Sequence, residues 1–288
     1  MTNPQVINGQ QTSRMLALDK EKAKEASVLV KVMQVPREPG ADSGDGFDTL
    51  VSRIVSNTNW QNAINYADLV SNDRVQIEIE RALRKVGYVY LRKRQKKSEA
   101  RKNAGKIFTL IKKEELAQAV AACQMDPVTV REGKNNLFGD HYKTIFPQTD
   151  ANFYLTRYWA RKQVGLVSRG QPQYGYATWM ALHFLWSQLE PFLKSDDIAR
   201  RFWSLCERRD GALCGPLSQA INVIFGEILA YYNANKGSGY AELDHSTFFR
   251  SKRGRHIEFK DFWDNKATRT AKFDTAWSKA EKVLQREQ

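Results

Sequence analysis

Cysteine is nearly absent from this chain. Cys123, Cys206 and Cys214 are the only three in 288 residues, and no two stand in C-x-x-C spacing. That excludes a disulfide framework and a thiolate zinc site, and it fits buried thiols in a reducing cytoplasm. The four histidines, His141, His183, His245 and His256, form no metal-ligand pair at helical spacing. No stretch reaches the roughly 18 uninterrupted apolar residues of a membrane-spanning helix, so no membrane association is expected. The opening Met1-Thr2-Asn3-Pro4-Gln5 is polar and has no apolar signal-peptide core. A Walker loop, a G-x-S-x-G elbow, an H-E-x-x-H pair and internal repeats are also missing.

Positive charge is what the chain has in excess. The formal net charge is +13, enough to matter for association with polyanions. It is concentrated in one place: residues 81–113 hold thirteen Lys and Arg against the single acid Glu99. Arg92, Lys93, Arg94, Lys96 and Lys97 are the densest part. The bland reading is a solvated face. The functional one is contact with nucleic-acid phosphates, with Tyr88 and Tyr90 just upstream as stacking platforms. On that second reading, replacing Arg92, Lys93 and Arg94 by Ala weakens polyanion binding and leaves stability nearly unchanged.

A second polar element lies at the start. Val6-Ile7-Asn8-Gly9-Gln10-Gln11-Thr12 reads as a strand, a sharp turn and a helix entry, because Asn and Gly tolerate positive φ. Such a junction is either an ordinary turn or an anion cradle built from free backbone N–H groups and amide side chains. The amides of Asn59 and Gln61, in Asn57-Thr58-Asn59-Trp60-Gln61, either cap a helix end or bond phosphates and base edges.

Pro4–Thr12 resembles the signature of the AIPR family, the abortive-infection phage-resistance proteins of bacteria. Ser56–Gln61, Asp68-Leu69-Val70-Ser71-Asn72-Asp73, Gly87–Arg94, Glu114–Ala119 and Tyr142-Lys143-Thr144-Ile145-Phe146 match in the same fixed order. The resemblance implies that Asn8, Gly9, Gln10, Gln11, Thr12, Asn59, Gln61, Arg92 and Lys93 face one ligand site. It also implies a role in antiviral defence. The Asn-Gly-Gln-Gln-Thr element is similar, more distantly, to the Asp-Gly-Gln-His-Arg element of DNA-modification regulators and to the phosphate-holding loop of ParB and sulfiredoxin proteins. Here Gln11 and Thr12 stand where those relatives carry His and Arg, which removes a titratable group and a fixed charge. In AIPR proteins the motif follows a long N-terminal region, so an upstream-encoded N-terminal half is an expected partner.

Along the chain, 26–35 reads as a strand and Asp48 as the cap of a helix over 50–55. A helix is expected over 71–86, stopped by Gly87, followed by a strand at Tyr88–Leu91. Residues 107–111 read as extended and 112–123 as a helix ended by Asp126-Pro127. From about 151 the apolar spacing turns helical through 153–167, 177–193, 198–206 and 217–232. Trp179, Leu182, His183, Trp186 and Leu189 form a core stripe, with His183 as a satisfied core histidine. Residues 267–288 read as an amphipathic helix anchored by Phe273, Trp277 and Val283.

The fold class is therefore α+β. A mixed region with a small sheet, residues 1–148, precedes a mostly helical region, residues 149–288. The leading function is an antiphage defence protein that binds nucleic acid or a nucleotide through the polar junction and the basic segment. Two alternatives stand beside it. Asp244 with Glu258-Phe259-Lys260 has the order of a Mg-dependent nuclease core, for which Arg255–Phe259 would be a strand. A non-catalytic scaffold that completes a partner chain is the other.

Overall fold

The computed structural model describes residues 66–93, 109–265 and 267–285, with isolated positions Ala17, Ser27, Val28 and Ser98. Two compact units divide the chain, Met1–Leu69 and Val70–Gln288. In the first, a short helical turn, Tyr66–Leu69, is described. The Asn-Gly-Gln-Gln-Thr junction, the helix after Asp48, the Asn59–Gln61 tract and, apart from Ser27 and Val28, the strand over 26–35 lie outside the described residues.

The second unit opens with a single 3-10 turn, Val70–Asn72, and then α1, Arg74–Lys85. Asp73 caps α1 by accepting from the Val75 N–H at 3.1 Å. Its apolar stripe, Ile79 and Leu83, is fully buried. Gly87 ends the helix at φ +88°, a left-handed conformation that a side chain would strain. The chain then enters β1, Tyr88–Leu91, which pairs in parallel with β2, Thr109–Lys112, in the register Tyr88 to Thr109 and Leu91 to Lys112.

Two short parallel strands cannot hold themselves together. Helices cover them instead. Tyr88 packs edge-on against Trp203, with ring centroids 5.8 Å apart, and its hydroxyl accepts from Trp159 Nε1 at 3.0 Å. Leu91 and Leu110 are buried together with Val89 packed on them. This is the α+β architecture expected, with helices dominating after the sheet.

From β2 the chain runs directly into α2, Lys113–Gln124. Leu116, Ala117, Ala119, Val120, Ala121 and Ala122 are all buried there, and the small alanines let neighbouring helices approach closely while favouring helix. Two short helices follow, α3, Lys134–Phe138, and α4, Tyr142–Ile145. Five longer helices and one short one complete the unit: α5, Ala151–Ser168; α6, Thr178–Leu189; α7, Asp196–Arg208; α8, Gly211–Asn235; α9, His245–Ser251; α10, Arg255–Asp264. The last described helix is α11, Ala267–Gln285.

Helix α5 is the hub and packs against α1, α2, α6, α7 and α8, while α8 carries α11 along its length. Helix α8 is long and apolar, with a mean hydropathy of 1.4 over its best window. Leu213, Leu217, Ile221, Ile224, Phe225 and Ile228 bury that surface inside the helical layer.

Two readings change. Arg255–Phe259 is helical, not a strand: Arg255, Phe259 and Trp263, four residues apart, form its buried face, whereas Ile257 is 59% exposed. In α11, Phe273 and Trp277 are anchors as expected, but Leu284 rather than Val283 is the buried residue of the last turn.

Candidate functional site

The polar residues of the sheet edge converge on Ser71. Its hydroxyl donates to the Arg92 carbonyl at 3.0 Å and accepts from Lys113 Nζ at 2.7 Å. Ser71 comes from the 3-10 turn, Arg92 from the residue after β1, and Lys113 from the first turn of α2. Three elements distant in sequence are thus tied by one hydroxyl. Lys113 is 1% exposed, and its ammonium also faces the Phe138 ring at 5.2 Å. The Arg92 guanidinium reaches back over the same turn. Its Nε donates to Glu80 Oε2 at 2.7 Å, and its Nη1 donates to the Ser71 carbonyl.

A second chain of hydrogen bonds runs beneath. Tyr90 Oη donates to Gln76 Oε1 at 2.7 Å, and Gln76 Nε2 donates to Tyr142 Oη at 3.3 Å. Burial pushes the Tyr90 and Tyr142 phenols well above their ordinary range, so both stay neutral. Gln76 is fully buried with both ends of its amide bonded, as a polar group in a core must be.

These contacts decide the roles of several expected site residues. Tyr90 is 1% exposed, so it is a core residue and not a stacking platform, and the same holds for Tyr88. Arg92 is a strut: protein acceptors already occupy its guanidinium. Lys93 is exposed immediately beyond it. Arg94, Lys96 and Lys97 lie outside the described residues, as do Asn8, Gly9, Gln10, Gln11, Thr12, Asn59 and Gln61. The strand therefore delivers the basic segment from a rigid, cross-tied edge.

Asp244, Glu258 and Lys260 do not assemble a metal site. Asp244 caps α9: its carboxylate accepts from the Thr247 N–H at 2.7 Å and from the Thr247 hydroxyl at 3.1 Å, and these bonds hold its pKa below the usual range. Glu258 is bound by Lys252 and accepts from Tyr231 Oη at 2.6 Å. Lys260 pairs with Asp264 one turn along α10. Glu258 and Lys260, two residues apart on a helix, project about 160° away from each other. Among the described residues no group of three or more His, Cys, Asp or Glu could hold a metal ion. The residues present do not fit Mg²⁺.

His183 is a near-core residue, as expected. Its Nδ1 lies 3.0 Å from the Ala122 carbonyl, and burial, then the adjacent His256, lowers its pKa. The His183 and His256 rings meet edge-on at 4.6 Å. His256 belongs to a cationic cleft that the sequence reading missed, lined by Asp126, Arg131, Tyr176, Trp179, Arg255 and His256 among others. Its one sequence signal is the run Arg250-Ser251-Lys252-Arg253-Gly254-Arg255, in which three arginines and a lysine surround a glycine.

A family model described as AIPR protein matches residues 1–287. No curated protein and no solved structure matches the chain.

Proposed function

The chain belongs to the AIPR family, and from that premise we propose that it recognises nucleic acid or a nucleotide through its basic segment and its Asn-Gly-Gln-Gln-Thr junction. Family membership itself points to a phage-resistance role of the abortive-infection kind. The finer reading adds the ligand. One observation carries it: Ser71 and Arg92, from two family-matching segments, meet at one node with Lys113, which precedes a third, and Tyr142 of a fourth bonds Gln76, the partner of Tyr90. That node fixes the end of β1, and the densest run of cations in the chain starts at the next residue. A rigid exit of this kind lets a cationic run meet phosphates without losing the fold.

Binding of a fluorescent oligonucleotide at several salt concentrations tests the reading. Replacing Lys93, Arg94, Lys96 and Lys97 together by Ala should weaken binding and reduce the slope of log K against log salt by roughly 3. An unchanged slope would remove the basic segment from the interface. Separate replacement of Gln10 and Gln11 by Ala asks whether the junction shares the ligand. If it does, affinity falls with the salt slope unchanged, because no charge is lost.

A further inference from the structure

We propose that Cys206 and Cys214 form a peroxide-responsive dithiol, in which hydrogen peroxide oxidises Cys214 and Cys206 then closes a disulfide onto it. Cys206 lies in the last turn of α7 and Cys214 in the first turn of α8. Arg209 and Asp210 join the two helices, with Arg209 in left-handed conformation at φ +56°. The turn is pinned on both sides: the Asp210 N–H donates to the Leu205 carbonyl at 2.9 Å, and the Cys214 N–H donates to the Asp210 carbonyl at 2.8 Å. No C-x-x-C spacing announces the pair in the sequence, but this fixed turn brings the two thiols together.

The two thiols are unequal in the way this chemistry needs. Cys214 is half-buried, whereas Cys206 is fully buried. The Cys206 thiol beside it is the main cause holding the Cys214 pKa below its ordinary value, while burial pushes the Cys206 pKa well up. The thiolate is the nucleophile, so Cys214 reacts first and Cys206 resolves. A third group points to an anionic sulfur here. Gln163 of α5 is 1% exposed, its Nε2 has no hydrogen-bond partner, and its amide favours the charged form of both sulfurs. A buried amide N–H without an acceptor is costly, and a thiolate or a sulfenic oxygen beside it supplies one. Cys123, buried in α2 with its pKa pushed up by burial, is an internal control.

The Cys214 thiolate attacks a peroxide oxygen, so that an S–O bond forms as the O–O bond breaks, and the departing hydroxide takes up a proton to leave as water. The Cys206 sulfur then attacks the Cys214 sulfur. The S–S bond forms, the S–O bond breaks, and the sulfenic hydroxyl leaves with the Cys206 proton as a second water. One peroxide is reduced for each disulfide formed. The cross-link lies next to the side chains by which α7 holds the sheet: Trp203 packs on Tyr88 of β1, and Glu207 accepts from the Thr109 hydroxyl of β2 at 3.1 Å. Oxidation would staple to α8 the helix that touches both strands.

Treating the reduced full chain with hydrogen peroxide, then counting thiols after denaturation, tests this. The parent should fall from three free thiols to one, and dithiothreitol should restore all three. Peptide mapping should find Cys206 linked to Cys214 within a single chain, with Cys123 free. In Cys206→Ala, dimedone should label Cys214 as a sulfenic acid; in Cys214→Ala, Cys206 should stay unlabelled. Gln163→Leu, which removes the amide donor and keeps the volume, should move the pH profile of Cys214 alkylation upward and slow its oxidation severalfold. Should the alanine variants fail to fold, the thiol count and the map of the parent chain still decide. Three free thiols after peroxide treatment that oxidises glutathione, cross-links only between chains, or a sulfinic acid at Cys214 with Cys206 still free would each overturn the proposal.

Discussion

Tyr231 shows how a single buried phenol links stability to pH. Burial and the Glu258 carboxylate, which accepts its proton at 2.6 Å, push its pKa up to about 12. The unfolded value is about 10. The folded state therefore holds this proton more tightly, and the associated stability is complete below about pH 10 and lost as pH rises towards 12. Denaturant titrations at rising alkaline pH should show Tyr231→Phe losing stability less steeply than the parent across that window. Parallel slopes would mean the phenol exchanges its proton equally in both states. Tyr88, Tyr90, Tyr142, Tyr154 and Tyr158 are raised further by burial, so the comparison with the variant is what isolates Tyr231. Individual residues were the least legible part of the sequence. Tyr88 and Tyr90 stand beside a basic run, which suits base stacking, but strand alternation placed both in the core. Asp244 was ambiguous for a related reason: a carboxylate before a short helix and a carboxylate on a metal look alike in one dimension.

At the scale of elements, Asp244 can be separated from the nuclease reading by its consequence for α9. As an N-cap it satisfies the Thr247 N–H. Asp244→Ala should lower the melting temperature, and Asp244→Ser should recover most of the loss. Adding Mg²⁺ should shift the melting temperature of parent and variant equally. A shift confined to the parent would restore a metal role for this carboxylate. The longer helices were readable because their apolar residues recur over several turns, as in α5 to α8, and β1 was readable from Tyr88-Val89-Tyr90-Leu91. Helix α10 was misread because Ile257 and Phe259 alternate like a strand, although its buried residues follow the i, i+4 spacing of Arg255, Phe259 and Trp263. The helices α3 and α4, of five and four residues, are too short to display a period at all.

Among the described residues, Arg92 stands between the packed edge of the sheet and the exposed Lys93. Ser71, Arg92 and Lys113, from three parts of the chain, meet at one hydroxyl, a convergence no linear pattern shows, because the distance from Ser71 to Lys113 closes only in three dimensions. Reading the sequence alone put Arg92, Lys93 and Arg94 in one electrostatic class and expected their joint loss to spare stability. The geometry divides them. The Arg92 side chain is 17% exposed, pairs with Glu80, and bonds the Ser71 carbonyl. Arg92→Ala leaves that carbonyl and carboxylate without their charged donor, and should cost on the order of 1–3 kcal/mol. Lys93→Ala, at an exposed position, should change stability by less than about 0.5 kcal/mol while lowering polyanion affinity. Urea unfolding and oligonucleotide binding, run on both single variants, give the two readouts. If Arg92→Ala keeps full stability and loses binding, the guanidinium leaves Glu80 for phosphate in the complex, and the node is part of the interface. If it loses stability and the folded fraction binds as the parent does, Arg92 holds the strand end in place and the cations beyond it make the contact.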